Sequence, residues 1–432
     1  MTRPKKAVLN RRALLGGTAA AGVGAMVPAG AAAAADSGRQ GGPLDQDAID
    51  AVVSRVERNL IALRRDFHAH PEVAEHEVAT SRIVSHLLRA AGLTVTTGVG
   101  GLGVVGVLKG ARPGRTVAYR ADMDAVPPQG IVGGGDKPAH ACGHDVHTAV
   151  GVGVAQTLAK LRHRLSGTVV FFFQPGEEAL KGADAMIKDN VLRDHRPEEI
   201  HALHCGPFPV GQFAVTPGSG LPGQDGTTIT VTGPDALASA ERLAAEITRL
   251  ATVAPPQTPA HLEKMVADVQ TPDGPLARFV VVRAKAQQDK ETGQVTIPVS
   301  YRCWPEERYV EIRETIGQLA APYEGAVVNF TKEPFPALVC PEKDALTLKR
   351  HLRRVLGPDG VTVLHAAFPF NGEDFALFLD EIPGTYTFLG VRKTGTVITE
   401  SYPHYGDFAP DERAIGIGVR AMAGWLAERA RR

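Results

Sequence analysis

A cysteine and a histidine separated by one glycine form the clearest candidate metal site in this chain of 432 residues. Cys142 and His144 flank Gly143, and a tight turn at the glycine would bring the thiolate and the imidazole to one metal centre. A thiolate favours zinc or another thiophilic metal over magnesium or calcium. No CxxC pair occurs in the chain, so its few cysteines do not form a disulfide framework.

Two adjacent carboxylates, Glu177 and Glu178, follow an unbroken apolar run at 168–173. Such a run predicts a strand buried on both faces of a sheet, and ligands of open α/β sheets bind beyond the carboxyl ends of strands. Adjacent side chains point in different directions, so one carboxylate could bind metal while the other transfers protons. Further imidazoles are available at His201, His204 and His404. Packing alone hardly explains this combination of residue types.

The segments around these residues alternate between helices and apolar strands. Apolar residues at helical spacing predict two helices between Asp45 and Gly92, and a further helix at 149–161. Short apolar runs bounded by glycine or proline predict strands at 93–97, 103–108, 116–119 and 168–173. This alternation indicates an α/β fold.

The pattern changes at about Gln224. Strands at 227–232, 279–284 and 295–301 and helices at 236–250 and 309–319 describe a compact α+β segment, and the earlier pattern returns after about Lys332. We therefore predict a catalytic domain formed by residues 45–223 and 333–432, with a satellite domain inserted at 224–332. The chain length agrees, since single cores rarely grow beyond about 250–300 residues.

The N-terminus has the features of an export signal. Arg11 and Arg12 precede an apolar stretch of small residues and an alanine run that ends at Ala35, a pattern that resembles a twin-arginine signal. We predict a signal at 1–35, a flexible lead-in at 36–44, and a secreted protein with no stable membrane association after cleavage. An uncleaved anchor is the alternative, although the apolar stretch is shorter than the roughly 20 residues of a membrane span.

The charge balance restricts the partners. Lysine and arginine together number 47, as do aspartate and glutamate, so no net field attracts nucleic acid or an anionic membrane. The expected partner is a small molecule or peptide.

Five motifs, in order, resemble the amidohydrolase branch of the aminoacylase/carboxypeptidase-like zinc metallopeptidases, which includes hippurate hydrolases and plant auxin-conjugate hydrolases. The motifs are Arg120-Ala121-Asp122-Met123-Asp124-Ala125-Val126-Pro127, His140-Ala141-Cys142-Gly143-His144-Asp145, Gln174-Pro175-Gly176-Glu177-Glu178, Gly372-Glu373-Asp374-Phe375 and the segment from His404 to Asp411-Glu412. The resemblance extends from about Ala51 to Leu426. It implies a zinc-peptidase-like catalytic domain with a mixed sheet, a lid- or dimerisation-type α+β satellite, and a homodimer as one expected assembly.

The resemblance also implies a site with two divalent metal ions. The implied ligands are Cys142, His144, Glu178, His204 and His404, with Cys142 as the bridge. Zinc is the expected metal, and manganese, cobalt and nickel are the alternatives. Glu177 would be the general base, and Asp124 would orient a ligand from behind.

Other residues in or near the motifs have alternative interpretations. His204 is preferred to His201 as a ligand because it precedes the Gly206-Pro207 turn. Glu373 and Asp374 either begin a helix or contact substrate. Structural or inert roles are expected for His68, His70, Cys205, Cys303 and Cys340.

The satellite segment departs from the family pattern. Relatives follow its first strand with a Gly-Gly-His loop whose histidine stabilises the oxyanion, whereas here Gly233 leads directly into Pro234-Asp235. Losing such a donor typically costs about a hundred- to a thousandfold in rate. His261 could substitute only if its loop folds over the cleft. The family's asparagine-containing segment is also altered, at 294–298.

Three functions are therefore compatible with the sequence. The first is a metal-dependent amidohydrolase of small N-acyl amino acids, such as hippurate-like or N-acetyl compounds. The second is a non-catalytic, metal-dependent binding relative, which the missing histidine loop would explain. The third is a small-peptide carboxypeptidase or dipeptidase with the same metal core.

Overall fold

The computed structural model describes residues 44–431, in which the apolar runs of the sequence form strands and helices. The strands are β1 (Thr94–Val99), β2 (Gly103–Lys109), β3 (Arg112–Asp122), β4 (Ser166–Gln174), β5 (Ile200–Pro209), β6 (Phe213–Val215), β7 (Gly220–Leu221), β8 (Asp225–Val231), β9 (Phe279–Ala284), β10 (Gln287–Gln288), β11 (Val295–Trp304), β12 (Ala326–Val327), β13 (Leu338–Val339), β14 (Val361–Val363) and β15 (Gly384–Arg392). The helices are α1 (Gln46–Ala69), α2 (Val78–Ala90), α3 (His144–Lys160), α4 (Gly182–Lys188), α5 (Val191–His195), α6 (Ala236–Thr248), α7 (Pro259–Val269), α8 (Tyr309–Ala320), α9 (Glu342–Leu356), α10 (Ala376–Glu381) and α11 (Arg413–Arg429).

The larger sheet is mixed, as predicted. Within residues 44–431 it has eight strands in the order β1-β2-β4-β3-β5-β15-β6-β14. β4, β3, β5 and β15 are parallel neighbours, so their carboxyl ends meet at one edge. Asp122 and Gln174 are paired in the register of β3 and β4. The segments that carry the predicted site residues therefore leave the sheet side by side.

α3 begins at His144 rather than at Ala149, so the predicted start was five residues late. Gly143 precedes the helix with φ +92°, a conformation that favours glycine and turns the chain into the helix. Most of α3 is buried because the helix lies between the sheet and the helices α1 and α11. The five residues missed at its start include the polar His144, Asp145 and His147, which are buried and interrupt the apolar pattern.

A second sheet lies in the segment predicted to be a satellite. It contains β8, β9, β10, β11 and β12, and helices α6 and α8 pack on it around a separate apolar core. α7 lies within the same segment, but its Leu262, Met265 and Val269 join the core of the larger sheet. The boundaries at 224 and 332 remain a prediction.

The predicted signal and all but the last residue of the lead-in lie outside the described residues. In the described part of the chain, no helix is both long and apolar enough to span a membrane.

Glu199 joins the last turn of α11 to the start of β5. It is buried and accepts hydrogen bonds from Arg429 Nε at 2.8 Å and Arg115 Nη1 at 3.3 Å. Burial opposes ionisation of this carboxyl, but the neighbouring His201 and Arg429 outweigh burial and lower its pKa to about 2. Glu199 is therefore a charged link between the C-terminal helix and the sheet.

We expect Glu199→Gln to lower the free energy of unfolding at pH 7 by about 2 kcal/mol, because two arginines lose a buried counter-charge. Because the pKa of Glu199 is lowered in the folded protein, its carboxylate stabilises the fold at pH values above 4.5, its pKa in the unfolded chain. This contribution disappears as the pH falls towards 2. Urea titrations at pH 7 and pH 3 test both points.

Glu198→Gln is the matched control, since Glu198 is exposed and contacts Arg115 at 2.9 Å. Its effect should stay below about 0.5 kcal/mol. Equal losses in the two variants would contradict a special role for Glu199.

Candidate metal centre

Two groups of possible ligand atoms share the thiol of Cys142. One group joins Cys142 with His144 and His204, and the other joins it with Glu178 and His404. Within each group the ligand atoms lie within 4.8 Å of one another. The structure thus brings all five predicted ligands together, in an arrangement suited to two ions with a common thiolate.

The three histidines of this cluster are oriented in the same way. His204 Nδ1 donates to the carbonyl of Cys205 at 2.7 Å, and His404 Nδ1 donates to the carbonyl of Gly130 at 3.1 Å. His144 Nδ1 contacts Asp124 Oδ1 at 3.2 Å. In metal-binding histidines, such a contact fixes the ring and leaves the other nitrogen for the ion. Here each Nε2 is left facing the centre.

Two buried atoms at the centre have no hydrogen-bond partner among the described residues. They are His144 Nε2 and Glu178 Oε1, which lie 3.7 Å apart. Buried polar atoms in folded proteins are almost always paired. Because both atoms are good ligands for a divalent cation, the site fits the metal that its residue types indicate.

Asp124 and Glu177 hold different positions around the ligands. Asp124 contacts the His144 ring with one oxygen and accepts the backbone N–H of Glu178 with the other at 2.9 Å. Glu177 lies outside both Cys142 groups, with Oε2 3.8 Å from His144 Nε2, and it lines the adjacent cavity. Asp124 is thus placed to orient ligands, and Glu177 to reach substrate.

Burial and negative charge determine the protonation of these groups. Burial, then the charges of Glu373 and Glu178, raise the pKa of Glu177 well above its usual range. Burial, with Glu178 next, also raises the pKa of the Cys142 thiol. Burial opposes protonation of His144, but Asp122 and Asp124 outweigh burial and raise its pKa to about 10. The centre therefore attracts positive charge strongly.

Arg120, Asp122 and His147 have roles that the sequence analysis did not assign. The fully buried guanidinium of Arg120 contacts Asp122 and donates to Glu373 at 2.9 Å and Asp374 at 3.2 Å. The sequence carried a signal for Arg120 and Asp122, because charged residues at 120, 122 and 124 alternate along the end of a strand and must share a face.

His147 connects Asp122 to the strand that carries the candidate ligand His204. Its Nδ1 lies 2.6 Å from Asp122 Oδ1, and its Nε2 accepts the backbone N–H of Cys205 at 2.7 Å. The ring must therefore be neutral with its proton on Nδ1, and burial lowers its pKa accordingly. The His147 and His204 rings lie 4.5 Å apart, so His147 supports a candidate ligand from behind.

The remaining sequence candidates lie away from the centre. His201 is buried beside Trp425 and contacts Thr385 Oγ1 at 2.8 Å, so it does not reach Cys142. Glu373 and Asp374 hold Arg120 rather than line the cavity. His68 contacts Asp145 at 2.9 Å, whereas His70 is exposed and contacts a backbone carbonyl of its own helix. The thiols of Cys205, Cys303 and Cys340 are free and buried.

A cavity of about 670 Å³ opens above the centre, between the two sheets. One wall is aromatic, with the rings of Phe368 and Phe388 5.5 Å apart and those of Phe368 and Tyr402 6.2 Å apart. Arg283 and Arg302 line it from the smaller sheet. The cavity thus joins an apolar surface, a cationic surface and the candidate ligands.

His261 does not replace the histidine of the missing loop. This residue is exposed at the start of α7 and does not line the cavity. Residues 232–235, which join β8 to α6, contain no histidine and do not line the cavity either.

Comparisons with known proteins agree with this geometry. The model of "Peptidase family M20/M25/M40" matches residues 118–428. An N-acetyldiaminopimelate deacetylase of Pediococcus pentosaceus is 28% identical over 86% of this chain and 97% of its own. The IAA-amino acid hydrolase ILR1-like 2 of Arabidopsis thaliana is 30% identical over 86% of each chain.

A solved structure, the YXEP protein of Bacillus subtilis, is described as a dinuclear metal binding peptidase from the M20 family. It is 27% identical to this chain, with a TM-score of 0.64 over 88% of this chain and 99% of its own. The metal-ligand cluster at the edge of the mixed sheet and these similarities lead to one conclusion: the chain belongs to peptidase family M20/M25/M40 and is a metal-dependent hydrolase of amide bonds.

Proposed function

We propose that the protein hydrolyses the amide bond of small N-acyl amino acids with two zinc ions. The two groups of ligand atoms that share Cys142 carry this proposal. They supply one thiol, three imidazoles and one carboxylate, a set that suits zinc better than magnesium or calcium. The proposed ligands are Cys142, His144, Glu178, His204 and His404.

The residues around the ligands support a hydrolytic mechanism. When bound, two divalent ions lower the pKa of a water molecule and polarise a carbonyl. Glu177 lines the cavity and belongs to neither group that contains Cys142, although it lies close to His144 and Glu178. Its carboxylate can therefore accept the proton of the attacking water and return it to the leaving amine. Asp124 holds the His144 ring and the backbone of Glu178, and thereby keeps two ligands in place.

The cavity supports an acyl amino acid as the substrate. Its aromatic wall at Phe368, Phe388 and Tyr402 would pack against an apolar or aromatic acyl group. Arg302 lies on the cationic surface of the cavity. Its guanidinium can bind the carboxylate of the amino acid. A hippurate-like substrate, with a ring at one end and a carboxylate at the other, fits both surfaces.

We expect Glu177→Gln to lower kcat for hippurate by about 10²-fold or more, because the proton acceptor is lost while its size is kept. Its metal content should equal that of the wild type, since Glu177 belongs to neither Cys142 group. Ninhydrin detection of released glycine and elemental analysis of the same samples test this. Retained turnover in the variant would exclude Glu177 as the base, and preference for substrates with a free amino group would favour a dipeptidase.

We expect Cys142→Ala to lose most of both metal ions, because the thiolate is common to the two groups. Elemental analysis after gel filtration, with thermal unfolding to verify the fold, measures the loss. Cys205→Ala is the matched control, since Cys205 is also a free buried cysteine but belongs to neither group. Loss of a single ion in Cys142→Ala would argue against a bridging thiolate.

We also propose that the protein is secreted through a twin-arginine-type signal at 1–35. The pair Arg11-Arg12 and the following small apolar residues support this proposal. N-terminal sequencing of the protein from culture medium should give a mature chain that starts near Asp36. A secreted chain that starts at Met1 would contradict it.

A further inference from the structure

Arg283 and Arg302 lie on the same face of the smaller sheet. In the register of β9 and β11, Arg283 is opposite Ser300 and Arg302 is opposite Val281, which makes the two arginines diagonal neighbours. Diagonal neighbours on antiparallel strands lie roughly 7–8 Å apart. Both side chains line the cavity above the metal centre. Two guanidinium groups therefore face the same cavity.

Among residues 44–431, neither arginine forms an ion pair with a carboxylate. Arg302 donates to the amide oxygen of Gln224 at 2.8 Å and to a backbone carbonyl at 3.4 Å, both of which are neutral. Glu177 and Glu178 line the same cavity but form no ion pair with Arg283 or Arg302. Burial, and then the charge of Arg283, lower the pKa of Arg302 to about 10. The charge of Glu177 acts in the opposite direction but does not outweigh these two effects, and no ion pair joins either arginine to a carboxylate in the described part of the chain.

Three other arginines of the same segment form ion pairs with carboxylates. Arg278 and Arg308 contact one carboxylate at 2.8 Å and 2.6 Å, and Arg313 contacts another at 2.8 Å. Those arginines lie outside the cavity. Unpaired cations that line a substrate cavity, beside paired cations elsewhere, indicate that the missing counter-charges come with the substrate.

We propose that Arg283 and Arg302 form a dianion subsite, so that the preferred substrates are N-acyl derivatives of acidic amino acids. The inference rests on the proposed function, in which Arg302 binds the carboxylate next to the scissile amide. Arg302 is the more buried of the two and has fixed neutral partners, which suits a group present in every substrate. Arg283 is exposed towards the cavity and is left for a second carboxylate on the amino-acid side chain.

Two substrates of nearly equal shape test the subsite. N-benzoyl-L-glutamate and N-benzoyl-L-glutamine differ by one negative charge, and both present an aromatic acyl group. For the zinc-loaded wild type we expect kcat/KM to be about tenfold or more higher for the glutamate derivative, because a charge-assisted hydrogen bond is available only to it. Arg283→Gln should remove this preference by lowering kcat/KM for the glutamate derivative alone.

Lys285→Gln is the matched control. Lys285 is exposed, follows β9 two residues after Arg283 and does not line the cavity, so its replacement removes one positive charge from the same segment outside the subsite. The preference for the glutamate derivative should be unchanged in this variant. An equal loss in Lys285→Gln would mean that general charge attraction, not a subsite, produces the preference.

The results separate the subsite from the proposed function. If both benzoyl compounds are hydrolysed equally well, or if Arg283→Gln lowers both rates alike, the dianion subsite is wrong while amide hydrolysis stands. If the zinc-loaded protein hydrolyses neither compound nor hippurate, the proposed function fails.

Calorimetry tests the subsite independently of turnover. Each benzoyl compound is titrated into the zinc-loaded Glu177→Gln protein. The subsite predicts that the glutamate derivative binds about tenfold more tightly than the glutamine derivative. This difference should disappear in the double variant that also carries Arg283→Gln. Equal binding of the two compounds to the Glu177→Gln protein overturns the subsite.

Discussion

The buried guanidinium of Arg120 is the interaction on which the metal centre depends. Several carboxylates meet beneath the centre, and burying them without a counter-charge would cost far more than a folded protein can tolerate. Arg120 contacts Asp122, Glu373 and Asp374 at once, from a fully buried position. Asp122 then fixes His147, which accepts the Cys205 backbone N–H next to His204. One cation thus begins a chain of contacts that ends beside the candidate ligand His204.

The mixed sheet explains why residues so far apart in sequence can serve one site. β3, β4 and β5 are parallel, so Asp124 and Glu178, which follow β3 and β4, lie at the same edge as Cys205, which is in the second half of β5. Gly143 turns the chain into α3 and places Cys142 and His144 over that edge. His404 closes the cluster from a left-handed backbone conformation with φ +68°, which is uncommon outside glycine and is typical of functional sites.

Much of this arrangement was visible in the sequence because it depends on local patterns. The apolar run before Glu177 predicted a central strand, and the residue types at Cys142 and His144 predicted a metal centre. The contacts of Arg120 with Glu373 and Asp374 were not predictable, because they join segments about 250 residues apart across strands whose order no local pattern encodes. The start of α3 was wrong because its first turn carries buried polar residues, including His144, Asp145 and His147, which do not continue the apolar pattern of the helix.

The residues proposed to bind the substrate's charges and the residues proposed to hydrolyse its amide bond occupy separate stretches of the chain. Arg283 and Arg302 both lie on strands of the smaller sheet, whereas every candidate ligand lies outside 225–327. Substitutions in one stretch can therefore accumulate without disturbing the other. A lineage that keeps its metal centre can acquire new substrates by changing two strands, and a designer could transplant those strands between relatives to redirect an otherwise constant catalyst.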